Sequence, residues 1–267
     1  MNRCSHSYVV LSGASGGIGF CLAKRLIEHY HCRVLGLGRN AARLQQIKEQ
    51  LGEDFDYRVM DVTDETAWQA LSKELVAIDG LIHCAGYLPD FAPVLPADDA
   101  VWRQTMDVNF TACKVGTEIL LPRLFKSERP FIIGVSSIDA VAPLAGTGAY
   151  AVSKAANKAY FQLLREEWRG KIQVSIACPG VTDTPLFDRQ TNLKGAEKLI
   201  HLLATPPQKV ANRTVRRASR GKGLIVTGAD GHLLSLGMRL CPNITLRLCR
   251  WVMLRSKLPL FQDVFWK

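Results

Sequence analysis

The sequence predicts an α/β protein built on a single doubly wound parallel sheet of seven strands, with helices packed on both faces. Two observations predict this fold class. Short apolar runs rich in valine, isoleucine and leucine alternate along the chain with longer segments of helical periodicity. A cluster of glycines directly follows the first apolar run, at the place where such sheets turn from the first strand into the first helix. Alternating strands and helices form parallel sheets, because each helix carries the chain back to the same end of the sheet.

The predicted elements follow one another with short connections. In chain order they are strand 7–11, helix 17–30, strand 33–37, helix 41–51, strand 57–60, helix 64–77, strand 80–84, helix 97–125, strand 130–136, helix 147–168, strand 172–177 and strand 223–227. The strands are short and mostly apolar, which is typical of strands buried on both faces. Thr63 or Asp64 gives the third helix a start signal. Because ligands of parallel sheets bind at the carboxyl ends of the strands, functional residues are expected in the loops that follow them.

Length and composition indicate a globular protein. The chain has 267 residues, of which 48% are hydrophobic and 22% are charged, and no apolar run reaches the ~18 residues of a membrane-spanning helix. The apolar run near the N-terminus, Tyr8–Leu11, is too short for a signal peptide. Eight cysteines are scattered without a C-x-x-C pair, so we expect reduced thiols, no metal site and a cytoplasmic protein.

The positive charge is concentrated near the C-terminus. Residues 205–267 carry twelve Lys and Arg but two acidic residues, so the net charge of +10 belongs to this part of the chain and the rest is neutral overall. Residues 232–261 contain no acid, and arginines interrupt leucine-rich turns that Pro242 divides into short helices. We therefore expect one catalytic domain over residues 1–230, followed by a basic amphipathic extension over 231–267.

The glycine cluster after the first strand predicts a phosphate-binding turn. Gly13, Gly17 and Gly19 lie in the sequence SGASGGIG, at the head of the predicted first helix. Glycine lets the backbone approach a pyrophosphate closely, and the helix N-terminus offers unpaired N–H groups and the positive end of its dipole. Ser15 and Ile18, in the same turn, are expected to contact the cofactor as well. Glycine clusters also occur in ordinary turns, but the strand–turn–helix context favours a Rossmann-type dinucleotide site.

The end of the second strand indicates which dinucleotide binds. Enzymes that use NAD usually place a carboxylate here to hold the 2′-hydroxyl of the ribose. This chain has Gly38 followed by Arg39, and a guanidinium suits a 2′-phosphate. The alternative is a solvated loop arginine. We predict NADP(H) as the cofactor, bound in part by Arg39.

A tyrosine and a lysine four residues apart form the most informative pattern of the chain. Tyr150 and Lys154 lie on one face of the predicted helix 147–168, where the ammonium would lower the pKa of the phenol and make it a usable proton donor. Ser137 lies thirteen residues upstream of Tyr150, after the predicted strand 130–136. Each residue alone could be an ordinary core, cap or surface residue. Together with the glycine turn, in this order and at these distances, they form a combination that rarely occurs by chance.

With these residues in place, the chain resembles the short-chain dehydrogenases/reductases over about residues 7–228. Further motifs match that family in order, at the adenine, in the loop after the fourth strand, at the helical asparagine and at the nicotinamide end: Asp61, Val62, Ala85, Gly86, Asn109, Pro179, Gly180, Thr182 and Thr184. Two positions depart from the family pattern. Cys84 replaces an asparagine that helps to brace the central sheet, and Ala140 replaces a glycine.

The resemblance implies a catalytic tetrad of Asn109, Ser137, Tyr150 and Lys154. In such a tetrad the serine donates a hydrogen bond to the carbonyl oxygen, the tyrosine is the general acid or base, the lysine binds the ribose and the asparagine holds a water. The remaining matched residues bind the cofactor, as do Tyr150 and Lys154. The resemblance thus implies hydride transfer between nicotinamide and a carbonyl or secondary alcohol. The alternative is a protein that binds NADP(H) without turnover, as a sensor or scaffold.

The sequence defines the substrate side less closely. In the family the segment after Thr184 closes over the substrate, and the leucine-rich residues 185–207 predict either an apolar lid or ordinary helix packing. The extension has three interpretations: peripheral membrane contact through 232–261, a dimer contact, or a gate over the substrate. Nucleic-acid binding is not expected, because the arginines are mixed with bulky apolar residues. We predict a lipophilic ketone or alcohol as substrate, and a homodimer or homotetramer formed through helices 97–125 and 147–168.

Overall fold

One parallel sheet forms the centre of the molecule. A computed structural model describes residues 7–186, 204–256, 261, 264 and 265. Seven parallel strands form the sheet in the order β3-β2-β1-β4-β5-β6-β7. Their bounds are Tyr8–Ser12 (β1), Arg33–Gly38 (β2), Phe55–Val59 (β3), Gly80–His83 (β4), Phe131–Val135 (β5), Gln173–Pro179 (β6) and Leu224–Thr227 (β7). The strand order reverses between β1 and β4, so a crevice forms there at the carboxyl ends of the strands.

Helices cover both faces of the sheet. They are Gly17–Tyr30 (α1), Ala41–Leu51 (α2), Glu65–Glu74 (α3), Asp99–Met106 (α4), Ala112–Leu124 (α5), Gly148–Glu167 (α6), Pro207–Ala218 (α7), Ala229–Leu240 (α8) and Pro242–Ser256 (α9). Asn40 and Asp64 cap α2 and α3, since their side chains accept hydrogen bonds from N–H groups of the first turn. A π-helical turn, Asp107–Thr111, joins α4 to α5, and a 3₁₀ turn, Ile138–Ala140, follows β5.

Neighbouring residues of each strand face two different cores. Val10 of β1 belongs to the core that contains Trp68 and Phe161, from α3 and α6. Val9 and Leu11 belong to the core on the other face, which is closed by α1, α2 and α7. Successive side chains of a strand point to opposite faces, so a strand covered on both sides must be apolar throughout.

The predicted sheet is confirmed, and the seven predicted strands and five predicted helices are present with small shifts at their ends. The predicted helix 97–125 is α4, the π-helical turn and α5 in succession. Of the two start signals predicted for α3, Asp64 is the cap. Helix α3 ends at Glu74, earlier than predicted, because Leu75 has extended backbone angles.

Helix α7 lies where no element is predicted. Its buried residues Val210, Ala211, Val215 and Ala218 have helical spacing, but arginines on the other face dilute this apolar pattern. Pro207 stands in the first turn, where its fixed φ suits a helix and its missing N–H leaves no bond unmade. The sequence therefore contained a helix signal in the spacing of these apolar residues, although the average hydrophobicity of the segment is low.

The extension begins with two helices, as the position of Pro242 predicts. Helix α8 ends at Leu240, α9 begins at Pro242, and Cys241 between them has non-helical backbone angles. No helix in the described ranges is long and apolar enough to cross a bilayer. Most of the predicted apolar lid falls outside the described residues, from 187 to 203. Beyond α9, the described residues that follow Ser256 are Phe261, Val264 and Phe265.

Candidate functional site

Tyr150 and Lys154 lie one turn apart on the buried face of α6. Nζ of Lys154 is 5.8 Å from the centre of the Tyr150 ring and donates a hydrogen bond to the carbonyl oxygen of Val135 at 3.1 Å. Ser136 ties the helix to the end of β5, because its hydroxyl donates to the carbonyl oxygen of Lys154 at 2.8 Å. The predicted pair is thus held beside the carboxyl end of β5.

Ser137 joins the pair from the end of that strand. Its hydroxyl lies near the phenol of Tyr150 and lowers the pKa of that phenol, and its Oγ accepts a hydrogen bond from the N–H of Asp139 at 3.1 Å. Strand β5 lies between β4 and β6, so its carboxyl end is near the middle of the sheet. The serine, tyrosine and lysine predicted from spacing are therefore brought together by the strand end and the helix.

Burial dominates the protonation of this group. Burial raises the pKa of Tyr150, the Asp139 carboxyl raises it further, and the hydrogen bond from Ser137 lowers it by a smaller amount. Burial also lowers the pKa of Lys154. The expectation of a lowered phenol pKa is therefore wrong for this structure, because burial removes the phenolate from water and the Asp139 carboxylate repels it. The phenol is protonated at neutral pH, which is the form that donates a proton.

Asp139 is a buried carboxyl that the sequence pattern does not single out. It is 8% exposed, and burial raises its pKa to about 7, while a hydrogen bond from the backbone of Leu144 acts in the opposite direction. Within the described part of the chain its Oδ1 atom has no hydrogen-bond partner. Buried carboxyl oxygens normally have a hydrogen-bond partner, and among the described residues this one does not. The neighbourhood of the phenol therefore contains a carboxyl that titrates near neutral pH. The available signal was an acid inside the otherwise apolar run IDAVAPL.

Asn109 lies fully buried in the π-helical turn between α4 and α5. Its Oδ1 accepts a hydrogen bond from the N–H of Tyr87, and its Nδ2 donates to the carbonyl oxygen of Tyr87, both at 2.8 Å. Nδ2 also donates to Oγ of Ser153 at 2.9 Å, and the carbonyl oxygen of Asn109 accepts from Nδ2 of Asn157 at 3.0 Å. Asn109 thus braces α6 against the loop after β4. Its water-holding role remains a prediction, and the partners Ser153 and Asn157 were not predicted.

The glycine turn packs directly against the loop after β4. Gly13 has left-handed backbone with a φ of 71°, and a Cβ there would lie 2.6 Å from the backbone nitrogen of Ala85. The hydroxyl of Ser12 accepts hydrogen bonds from the N–H groups of Cys84 and Ala85, at 3.1 and 3.3 Å. Position 13 therefore requires glycine for its backbone angle and for its packing, and Ser12 joins β1 to the residues after β4.

Thr184 lies at the head of α1. A Cβ at Gly17 would be 2.9 Å from Cγ2 of Thr184. The loop that carries Thr184 is held by Asp230, whose carboxylate accepts a hydrogen bond from the N–H of Val181 at 2.7 Å. Gly180 packs so closely against the same carboxylate that a side chain would collide with it. Asp230, which was not predicted, therefore positions the segment expected at the nicotinamide end.

Arg39 and Asp61 form an ion pair at the opposite end of the crevice. Nη1 of Arg39 lies 3.5 Å from Oδ2 of Asp61. Partial burial raises the pKa of Asp61, but hydrogen bonds from Thr63 and the Arg39 charge lower it overall. The next residue, Val62, is fixed by its carbonyl oxygen, which accepts a hydrogen bond from Nε1 of Trp68 at 2.8 Å. Arg39 is thus exposed and charged beside the predicted adenine residues.

These groups surround one cavity of about 550 Å³. The predicted cofactor residues in its wall are Gly13, Ser15, Gly17, Ile18, Gly19, Arg39, Asp61, Val62, Ala85, Gly86, Tyr150, Lys154 and Thr184. Asn40, Arg43 and Gln46 also line it and were not predicted. The other predicted residues are not part of the described wall; they are Asn109, Ser137, Pro179, Gly180 and Thr182.

The shape and polarity of this cavity fit a dinucleotide. Helix α1 has no side-chain cap, so the N–H groups of its first turn are available to an anion. Two glycines leave the space beside the polar groups of the wall unfilled. A Cβ at Gly38 would lie 3.0 Å from Oγ of Ser15, and one at Gly86 would lie 3.4 Å from Nζ of Lys154. Arg43 adds a second guanidinium at the Arg39 end. Phosphate groups and ribose hydroxyls match these donors.

Comparison with known proteins identifies the family. The short chain dehydrogenase family model matches residues 7–194, a span that contains the glycine turn, Ser137, Tyr150 and Lys154. The chain is a short-chain dehydrogenase. It is therefore an oxidoreductase, and the resemblance inferred from the motifs is confirmed.

Relatives of this short-chain dehydrogenase include reductases and dehydrogenases. Benzil reductase ((S)-benzoin forming) IRC24 of Saccharomyces cerevisiae is 36% identical over 192 residues, covering 67% of this chain and 72% of the yeast protein. A probable NADP-dependent dehydrogenase of Haemophilus influenzae is 34% identical over 212 residues, covering 76% of this chain and 84% of that protein. A short chain dehydrogenase from Shigella flexneri, solved in complex with NADP, is 27% identical and has a TM-score of 0.74 over 84% of this chain and 98% of that one.

Cys84 is where this short-chain dehydrogenase departs from the family pattern. Burial raises the pKa of its thiol to about 12, so the side chain is uncharged and packs as a small apolar group. The Ser12 hydroxyl accepts a hydrogen bond from the backbone N–H at this position. The departure therefore affects how the sheet is braced and leaves Tyr150, Ser137 and Lys154 in contact.

Proposed function

We propose that this short-chain dehydrogenase catalyses NADP(H)-dependent hydride transfer between nicotinamide and a carbonyl or secondary alcohol. One observation carries the proposal: Tyr150, beside Ser137 and Lys154, lies in the wall of the cavity that also contains the uncapped head of α1 and Arg39. When bound, the cofactor supplies the hydride. The side chains supply proton transfer, charge and orientation.

Each side chain has its own role in the proposed reaction. The Ser137 hydroxyl donates a hydrogen bond to the substrate oxygen and stabilises the charge that grows there. Tyr150 donates its proton to that oxygen in reduction and accepts it in oxidation. Lys154 binds the ribose hydroxyls, and its charge stabilises the phenolate that remains after proton transfer. Asn109 is a positioning residue that acts through α6 and the loop after β4.

The environment of Tyr150 supports its role as the proton donor in reduction. Burial and Asp139 raise the pKa of the phenol, so Tyr150 is protonated at neutral pH. Oxidation of an alcohol would require the phenolate, which this environment disfavours until the pH is alkaline.

Arg39 and Arg43 support NADP(H) over NAD(H). Both line the adenine end of the cavity, and two guanidinium groups suit a 2′-phosphate dianion better than a hydroxyl pair. The relative from Haemophilus influenzae is described as NADP-dependent, and the structure from Shigella flexneri contains NADP. The Asp61 carboxylate pairs with Arg39, so a 2′-phosphate would compete with it for the guanidinium.

Apolar contacts at the loop ahead of Tyr150 support a lipophilic ketone or alcohol as substrate. The ring centres of Phe91 and Phe261 are 6.0 Å apart in an edge-on contact. A Cβ at Gly146 would lie 2.9 Å from Val264, so residues beyond α9 reach the loop four residues ahead of Tyr150. This contact supports the gate interpretation of the tail's end. The yeast relative is a benzil reductase, and benzil is an apolar diketone.

The test is oxidation of NADPH by the full chain with ketones graded from small and polar to long-chain and steroid-sized. Tyr150→Phe is expected to lower kcat by roughly 10³-fold and to leave NADPH binding nearly unchanged. Tyr160→Phe, on the same helix but outside the described wall of the cavity, is the matched control and should retain turnover. Equal turnover of both variants would remove Tyr150 from its proposed role. NADPH binding without turnover of any ketone would favour the sensor or scaffold alternative.

The assembly is proposed on the surface of α6. Val152 and Leu163 are large apolar residues exposed on that helix, and with α4 and α5 they support a homodimer or homotetramer. We also propose that residues 1–230 form the catalytic unit of a cytoplasmic protein and that 231–267 is an extension of it.

A further inference from the structure

Exposed apolar side chains are concentrated on α8 and α9. Of the sixteen large apolar side chains that are exposed in the described ranges, eight lie on these two helices. They are Leu233, Leu236, Leu240, Ile244, Leu248, Trp251, Val252 and Leu254. Single exposed apolar residues need no explanation, but a cluster of this kind marks a surface that contacts something apolar.

The spacing of these residues forms two stripes that meet at the turn. On α8 the exposed leucines follow one another by three and four residues, and on α9 Ile244, Leu248 and Trp251 do the same. Leu240 and Ile244 lie on either side of the one-residue link at Cys241, so each stripe reaches the end of its helix next to the turn. The helices pack against each other elsewhere, because a Cβ at Gly237 would lie 2.5 Å from Oγ1 of Thr245.

Positive charge accompanies this apolar surface. Both helices together contain one acid, Asp230, and it is occupied inside the protein by its hydrogen bond from Val181. Four exposed arginines lie along the helices: Arg239, Arg247, Arg250 and Arg255. The Arg255 guanidinium lies 5.0 Å from the centre of the Trp251 ring. The apolar stripes are thus bordered by guanidinium groups with no acidic neighbour on α8 and α9.

We infer that the surface of α8 and α9 binds anionic lipid bilayers, with its leucines, Ile244 and Trp251 in the headgroup–acyl boundary and its arginines on the phosphates. Apolar stripes bordered by arginine, with a tryptophan at the boundary, are typical of helices that lie in the membrane interface. The neighbouring surface of a second copy would carry the same arginines, so a symmetric contact would place like charges together. Charge therefore favours the anionic bilayer.

The experiment is co-sedimentation of the full chain with vesicles of phosphatidylcholine alone or with about 30% phosphatidylserine. We expect binding to the anionic vesicles, at least ~10-fold weaker binding to the neutral ones, and a marked loss at about 0.5 M salt. Arg247→Glu combined with Arg250→Glu should reduce binding to the anionic vesicles at least ~10-fold. Equal binding to both kinds of vesicle, or none to either, would overturn the inference.

A matched pair of variants tests the apolar stripe. Leu248 and Val76 are 57% and 77% exposed, but Val76 lies in the loop between α3 and β4 and not on α8 or α9. Leu248→Asp should lose vesicle binding, whereas Val76→Asp should retain it, and thermal melting checks that both variants are folded. Suppose instead that the wild type does not sediment with either kind of vesicle and that Leu248→Asp converts a dimer into monomers. The surface then binds a second copy and not a bilayer. The inference is independent of catalysis, so Tyr150→Phe should bind vesicles like the wild type.

Discussion

The nucleotide-binding edge, where the glycine turn meets the loops at the carboxyl ends of the strands, and the surface of α8 and α9 are built in opposite ways. At the edge, glycines bring backbone into contact with backbone, and Gly13 touches Ala85 where no side chain would fit. On α8 and α9, large side chains such as Leu248 and Trp251 face solvent. The difference teaches that a single methyl group should decide folding at the edge, whereas large changes at the extension should alter binding and leave the fold intact.

The largest expected effect comes from Gly13→Ala at the edge. Gly13 and Gly221 both have a positive φ, 71° and 74°. A Cβ at Gly13 would lie within 3 Å of backbone atoms of Cys84 and Ala85, whereas one at Gly221 would have nothing within 4 Å. Gly13→Ala should lower the free energy of unfolding by more than roughly 4 kcal/mol and abolish NADPH binding.

Gly221→Ala, just beyond the end of α7, is the control, because it shares the positive φ and lacks the collision. It should lower the free energy of unfolding by only about 1 kcal/mol. Chemical denaturation and NADPH fluorescence titration of both variants measure the difference. Similar losses in the two variants would show that backbone strain alone, and not close packing against the loop after β4, makes Gly13 necessary.

Asp139→Asn tests the catalytic side of the same crevice through pH. Burial raises the pKa of Asp139 from 3.8 to about 7, so between these values the folded protein holds a proton that the unfolded chain has lost. The stability contributed by this carboxyl is fully present below about pH 4 and is lost as the pH rises through about 7. Relative to the wild type, Asp139→Asn should therefore gain up to roughly 4 kcal/mol of stability between about pH 4 and pH 8.

His83 provides an internal reference with the opposite sign. It lies buried at the end of β4, where its Nε2 is 2.9 Å from Oγ1 of Thr117 and burial lowers its pKa to about 3. Its contribution to stability is lost as the pH falls below the ordinary histidine value of about 6.5. Asp139→Asn should keep this acid-side loss, measured by urea denaturation across the pH range. A stability difference between wild type and Asp139→Asn that is constant with pH would contradict the buried titration.

Arg39→Asp, also at the nucleotide-binding edge, should have a smaller effect than Gly13→Ala. The variant replaces a guanidinium by a carboxylate beside Asp61, so it should repel a 2′-phosphate. We expect the Kd for NADPH to rise roughly 30-fold, about 2 kcal/mol, and the Kd for NADH to change far less. Arg169→Asp makes the same charge change on an exposed arginine paired with Glu166, and it should leave both constants unaltered. Equal weakening of NADPH and NADH in Arg39→Asp would mean that Arg39 does not read the 2′-phosphate.

The same contrast explains how much the sequence could predict. The strands and helices, the glycine turn and the pair Tyr150 and Lys154 are each marked by a pattern within a short stretch of the chain, so periodicity and spacing indicate them. Asp139 differs, because its burial and its position near the phenol depend on how the turn after β5 packs against α6. The contact between Phe91 and Phe261 joins segments far apart in the sequence. Such contacts leave no periodic signal, and the structure was needed to find them.

The smallest expected effect is at the extension, and it gives the comparison its sharpest form. Ile225 of β7 is fully buried, whereas Ile244 of α9 is 65% exposed. Ile225→Ala should lower the free energy of unfolding by roughly 3 kcal/mol, because it leaves a cavity in the core. Ile244→Ala should change it by less than ~0.5 kcal/mol, since little apolar area is uncovered and alanine is the better helix former. Denaturation of the two variants measures both values, and vesicle binding should fall only for Ile244→Ala. If Ile244→Ala lowered the free energy of unfolding about as much as Ile225→Ala, the apolar stripe would be part of a packed interface within the protein. The extension would then resemble the nucleotide-binding edge, where close packing decides stability.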